Sequence, residues 1–210
     1  MVLERYRDGF QGFLTPLARG ALAVGLTADG VTLLSLAVAI AAGIAYALGS
    51  ASAPWLLVLG GSLAGANAFL DGIDGRMARL SGSAGRRGDY LDHVVDRYAD
   101  VALLVGLALS AAGHPVLGLF ALVGTLLTSY MGTQSQALGL GRNYAGLLGR
   151  AERTILVAAV PGLEAIRILL GLPWPLAWNP IWIMLAYVAV AGNITAVQRF
   201  WSGWRELAGE

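Results

Sequence analysis

Apolar runs recur along the chain at lengths close to the roughly 20 residues that a membrane-crossing helix needs. Six stretches meet or approach that length: residues 30–49, 53–71, 89–112, 114–138, 153–171 and 176–200. The fifth is the weakest, because Pro161, Gly162, Glu164 and Arg167 interrupt it. Ahead of them, residues 2–20 alternate charged and apolar positions, with Leu3, Tyr6, Phe10, Phe13 and Leu17 at helical spacing. That pattern predicts an amphipathic helix over residues 1–20, lying on the membrane surface. The expected fold is an all-α polytopic membrane protein: one membrane-embedded domain over residues 1–210, with six transmembrane helices in 21–210. No internal repeat or low-complexity tract divides it.

Composition supports this reading. The chain is 57% hydrophobic and 13% charged, against about 25% charged in soluble domains, and its mean hydropathy is +0.66. The absence of cysteine excludes disulfides and thiolate-bound zinc. All 14 basic residues are arginine. The N-terminal 20 residues carry acidic positions and no uninterrupted apolar core, so they do not read as a signal peptide. A net charge of +1 gives no reason to expect a nucleic-acid partner. The placement of the arginines is more informative. Six crossings return both termini to one side, and on that side fall Arg5, Arg7, Arg19, Arg76, Arg79, Arg86, Arg87, Arg142, Arg150, Arg153, Arg199 and Arg205. The excess of arginine predicts that this side is cytoplasmic, in the cell membrane. Trp55, Trp174, Trp178, Trp201 and Trp204 lie near span ends, as interfacial anchors do.

The acidic residues are concentrated. Asp71 and Asp74, three apart, share a helix face at the end of the second span; Asp92 and Asp96, four apart, share one at the start of the third. Gly82, Gly85 and Gly88, with Ser81 and Ser83, predict a tight turn between them. Four carboxylates gathered at membrane depth repel one another and resist desolvation. One hard divalent cation, or two, would resolve this, and oxygen ligands suit Mg2+, Mn2+ or Ca2+. The alternative is a salt-bridged cap in which the aspartates pair with Arg76, Arg79, Arg86, Arg87 and Arg97.

The segment 71–96 reads D-x2-D-G-x2-A-R-x8-G-x3-D-x3-D, which resembles the signature of the CDP-alcohol phosphotransferase family at every defined position. The resemblance implies a transferase that moves a phosphatidyl or archaetidyl group from a CDP-lipid donor to a small alcohol, with Mg2+ or Mn2+, two ions, as cofactor. It implies Asp71, Asp74 and Asp92 as metal ligands. Asp96 would complete the metal site and act as general base. Asp71, Gly75, Ala78, Arg79 and Gly88 would border the nucleotide. The residue types suit those roles: Gly75 and Ala78 let a ligand approach the backbone, and the Arg79 fork matches a diphosphate. A homodimer is also expected from the resemblance.

The acceptor is read from two further stretches. Residues 128–156 and 193–200 place Arg142, Arg150, Arg153 and Arg199 at the cytoplasmic boundary, where converging guanidinium groups would bind a phosphorylated alcohol. The GRAER of 149–153 and ITAVQR of 194–199 are similar to members that use inositol 1-phosphate, archaeal and the related bacterial ones, and the SYMGTQ of 129–134 looks more like the archaeal branch. Gly132 and Gln134 stand where bacterial relatives tend to carry basic residues. Thr27-Ala28-Asp29 departs from the family's usual Pro-Asn, and Asp29 is expected to cap a helix starting near Gly30. Asn67 is expected to make an interhelical hydrogen bond, and His93 to lie beside the acidic cluster. Other acceptors of the same chemistry are glycerol 3-phosphate or, with CDP-inositol as donor, a second inositol phosphate. A divalent-metal transporter is the alternative of another class, since intramembrane carboxylates also mark ion paths. The carboxylates cluster at one face, however, and the far halves of the spans offer no polar relay.

Overall fold

A computed structural model describes residues 7–141, 146–173 and 179–209, with side chains from residue 14 onward. Among these residues there are seven helices and no strand: α1 (Arg7–Ala23), α2 (Ala28–Leu48), α3 (Trp55–Ser81), α4 (Arg86–Leu109), α5 (Pro115–Ala137), α6 (Arg150–Leu169) and α7 (Pro180–Ala208). Each of the six long segments expected from the sequence is a helix; α3 and α7 run ten and eight residues past their expected ends at 71 and 200, and the other ends shift by four residues or fewer.

The helix starts have local causes. Thr27, not Asp29, caps α2, its hydroxyl accepting from the Gly30 amide at 3.1 Å. The helix begins two residues earlier than expected, which moves Asp29 into its first turn. Proline at the first position and a side-chain acceptor one residue before start both α5 (His114) and α7 (Asn179). Between α3 and α4 the turn is Gly82–Gly85; Gly82 takes the left-handed conformation, φ 70°, that ends α3. Gly88 is therefore not in the turn but inside α4.

Of the seven, α2, α3, α5 and α7 are long and apolar enough to cross a membrane. Charge keeps α4 and α6 from that class. α4 carries seven charged residues between Arg86 and Asp100, and α6 carries five. The buried Glu164 of α6 is neutralised one turn on by Arg167, at 2.7 and 2.9 Å.

Packing is close where side chains are small. α2 lies against α3 and α4, α5 against α7, and α3 against α6. A Cβ on Gly106 of α4 would run into the Gly43 carbonyl of α2, and one on Gly61 of α3 into the Ala158 carbonyl of α6. Such backbone approach is how helices associate where lipid removes the hydrophobic incentive. The Tyr46 hydroxyl donates to the Val157 carbonyl at 2.6 Å, joining α2 to α6 within the core. The surface helix α1 rests on the same assembly: Leu14 and Ala18 pack with Val31, Ile73 and Met77, and Arg76 donates to Thr15 at 2.7 and 3.0 Å. Leu3 and Tyr6, part of its expected apolar face, lie outside the described residues.

Gly106→Val is expected to lower the melting temperature in detergent, by an amount corresponding to about 1–3 kcal/mol of overpacking. Gly65→Ala, where an added Cβ meets nothing within 4 Å, should leave it unchanged or raise it; equal losses in both would remove the close-approach explanation.

Candidate active site

α3 and α4 run antiparallel, so the last turns of one and the first turns of the other meet at the same end of the bundle. There Asp71, Asp74 and Asp92 each bring one carboxylate oxygen within 4.8 Å of the others. Oxygen-only donors at that spacing fit a hard divalent cation. Asp74 is buried and accepts a 2.7 Å hydrogen bond from the Thr32 hydroxyl of α2. Thr32 therefore orients a candidate ligand from a third helix. Nothing in the sequence singles it out, because the contact exists only once α2 packs on α3.

Asp96 does not stand within that trio. Its carboxylate is bound by the Arg150 guanidinium of α6, whose same nitrogen also donates to Asp71 at 2.9 Å. Arg97 reaches Asp96 at 3.5 Å. Among the described residues, Arg97 alone of the five arginines expected in a salt-bridged cap pairs with a member of the carboxylate cluster. Arg76 is held by Thr15 and Arg87 by Asp29 at 3.7 Å. The cap reading thus accounts for Asp96 alone, and the trio keeps its oxygens for other partners.

Two clefts flank the cluster and share Asp71. The wider is bordered by Asp71, Asp74 and Asp92 together with Gly75, Ala78, Arg79 and Gly88. All the residues expected to border a nucleotide thus fall on one cleft. A Cβ at Gly75 or Gly88 would meet only ordinary contacts, 3.7 Å from Arg79 Nη1 and 3.9 Å from Asp29 Oδ1. The glycines keep the cleft's surface at backbone level rather than relieve a clash. α2 adds Asp29 and Thr32 to the wall.

The narrower cleft lies between α3, α4 and α6 and is bordered by Asn67, Asp96, Asp100, Arg150, Arg153 and Thr154. Of the four arginines expected to converge, Arg150 and Arg153 meet here. Arg150 serves the carboxylate cluster as well, and Arg153 is buried against Asp100. Arg199 of α7 instead donates to the Thr128 carbonyl at 3.0 Å, beside Gly132, where a Cβ would sit 3.3 Å from its Nη1. Arg142 lies outside the described residues, as do Trp174 and Trp178. Asn67 makes the expected interhelical bond, donating to the Ser35 carbonyl at 3.0 Å. His93 turns back along its own helix to Asp89. Asp100 has no place in the motif; its importance shows only in the ion pairs it makes.

The family model described as CDP-alcohol phosphatidyltransferase matches residues 25–192. The phosphatidylinositol phosphate synthase of Mycobacterium tuberculosis (strain ATCC 25618 / H37Rv) is 34% identical over 210 residues, covering 94% of this chain and 88% of the relative. The archaetidylinositol phosphate synthase of Methanothermobacter thermautotrophicus is 30% identical over 206 residues, covering 98% and 96%. Crystal structures of the Mycobacterium tuberculosis enzyme resemble the fold throughout. The form with CDP-DAG bound gives a TM-score of 0.75 at 33% identity, covering 91% of this chain and 93% of that one. The form in complex with manganese and citrate gives 0.74 at 33% identity, covering 91% and 88%.

Thr32→Val should weaken Mn2+ binding by about tenfold or more, the usual cost of losing a group that orients a metal ligand. Thr32→Ser should retain most of the affinity. Titration of the detergent-solubilised protein, with free Mn2+ read by electron paramagnetic resonance, checks this.

Proposed function

Since this chain belongs to the CDP-alcohol phosphatidyltransferase family and is a phosphotransferase of membranes, we propose that it moves the phosphatidyl or archaetidyl group of a CDP-lipid onto inositol 1-phosphate, releasing CMP. One observation carries the reading. Two clefts share Asp71: one is floored by glycine and walled by carboxylates with Arg79, and the other sets Arg150 and Arg153 against Asp96 and Asp100. The first suits a nucleotide diphosphate brought in with divalent metal. The second suits a phosphorylated polyol. The relatives named for inositol phosphate lipids support the choice of acceptor.

In this reading Asp71, Asp74 and Asp92 hold the metal, Mg2+ or Mn2+, and Asp96 completes a two-ion site. When bound, the metal neutralises the diphosphate and stabilises the CMP leaving group. Arg79 holds the diphosphate, with Gly75, Ala78 and Gly88 beside the nucleotide. Arg150 and Arg153 receive the acceptor's phosphate, and Arg199 and Arg142 are read as further contacts to the acceptor. Asp96 accepts the proton of the acceptor hydroxyl. The freed oxygen bonds to the β-phosphorus as the bond to CMP breaks, and CMP leaves with the electron pair.

The domain is read as a single unit crossing the membrane six times. α4 has 24 residues and α6 has 20, about 36 and 30 Å at 1.5 Å per residue, enough for a hydrocarbon core of about 30 Å. With six crossings the arginine-rich connections, both termini and the carboxylate cluster share the cytoplasmic side of the cell membrane. A lipid donor then enters from the bilayer and a polar acceptor from water.

An acceptor panel tests the reading. CDP-diacylglycerol and CDP-archaeol are each offered with inositol 1-phosphate, glycerol 3-phosphate, serine and inositol, in detergent with Mg2+ or Mn2+. Labelled lipid product and CMP are expected with inositol 1-phosphate. Product from glycerol 3-phosphate but none from inositol 1-phosphate would overturn the acceptor, and no CMP with any alcohol would overturn the reaction. Asp96→Asn should lower kcat by about 10²–10⁴-fold; near-normal turnover would exclude Asp96 as the base.

A further inference from the structure

One turn beyond Asp96, Asp100 ties together three charged groups. The Arg153 Nη2 donates to both its oxygens, at 2.9 and 3.1 Å. Arg97 lies 3.5 Å from its Oδ2 and, through the same nitrogen, 3.5 Å from Asp96 Oδ2. The Arg153 side chain is only 7% exposed. Among the described residues, all its side-chain hydrogen bonds run from Nη2 to Asp100. Nε and Nη1 are thus left as donors on a side chain that borders the narrower cleft. A guanidinium this buried needs a counterion. Its planar fork presents donors in fixed directions once one nitrogen is pinned. Asp100 supplies both the charge and the pin.

We propose that Asp100 is a positioning residue: by clamping Arg153 Nη2 it aims the remaining donors of that guanidinium into the cleft that takes the acceptor's phosphate. This rests on the assignment of the narrower cleft to the acceptor. The wider cleft, where the nucleotide is placed, does not include Asp100 or Arg153. Loss of the clamp therefore acts on the acceptor and spares the donor.

The test compares wild type, Asp100→Asn and Asp100→Glu in detergent. It reads KM for the acceptor, KM for the CDP-lipid, and the dissociation constant of inositol 1-phosphate by calorimetry. Asp100→Asn should raise the acceptor KM and dissociation constant at least about tenfold, as misaimed binding groups do, with the donor KM within about twofold. Asp100→Glu keeps the charge and should recover part of the loss. If Asp100→Asn does not fold, Asp100→Glu decides through a smaller rise confined to the acceptor. Unchanged acceptor binding in a folded variant, or an equal rise in both KM values, overturns the proposal. The KM comparison uses whichever phosphorylated alcohol the wild type accepts, so a wrong choice of inositol 1-phosphate leaves it intact. Wild type without turnover on any alcohol marks failure of the transferase reading, and calorimetry then still tests Asp100.

Discussion

Carboxylates set at the ends of two largely apolar helices repel one another, and burial makes each charge more costly. Six aspartates, Asp71, Asp74, Asp89, Asp92, Asp96 and Asp100, lie on α3 and α4. Their compensation organises this end of the molecule. Arg150 links Asp71 to Asp96, Arg97 stands between Asp96 and Asp100, and Arg153 closes on Asp100. Positive and negative groups alternate from the cluster into the helix core, three of each. The trio Asp71, Asp74 and Asp92 keeps one oxygen of each within 4.8 Å of the others; Arg150 on Asp71 and Thr32 on Asp74 ease that crowding in part, and a divalent ion would stabilise it further.

This charge ladder depends on packing remote from it. Arg150 and Arg153 reach the aspartates because α6 lies close to α3, and Gly61 under the Ala158 carbonyl permits that approach. Thr32 reaches Asp74 because α2 lies close to α3 and, through Gly43 and Gly106, to α4. Small residues in the core therefore set side-chain positions at the carboxylate end of the bundle. The same helices separate two clefts of different chemistry around one shared aspartate. A group-transfer enzyme needs that arrangement, since donor and acceptor must meet without either entering the other's site.

The helical segments and the acidic cluster were legible from the chain alone, because both rest on local rules. Apolar runs of about 20 residues must be helical in lipid, where backbone groups find no water. Asp71 with Asp74, and Asp92 with Asp96, share faces because helix periodicity places them so. Glycines between two helices turn the chain back. The motif added the positions expected to border a nucleotide, and all of them fall on one cleft. The charged content of α4 and α6 shows the limit of that reading: several of the charged residues that interrupt their apolar character, Asp96, Asp100, Arg153 and Glu164 among them, are neutralised by partners, and hydropathy alone does not see partners.

Partner choice among the arginines was decided by tertiary structure. Arg150, Arg153 and Arg199 look alike in sequence, each near a span end. Once folded, Arg150 joins the carboxylate cluster, Arg153 is buried on Asp100, and Arg199 is held by the Thr128 carbonyl. The same holds for Asp29, which the sequence suggests as a cap and the fold turns toward a cleft, and for Thr32, which has no signal until α2 meets α3. The sequence by itself determined which residues lie on each helix face and at which end, because backbone geometry sets that within a few turns. Only the packed bundle determined which charges pair, because an ion pair depends on distances between helices that local periodicity does not contain.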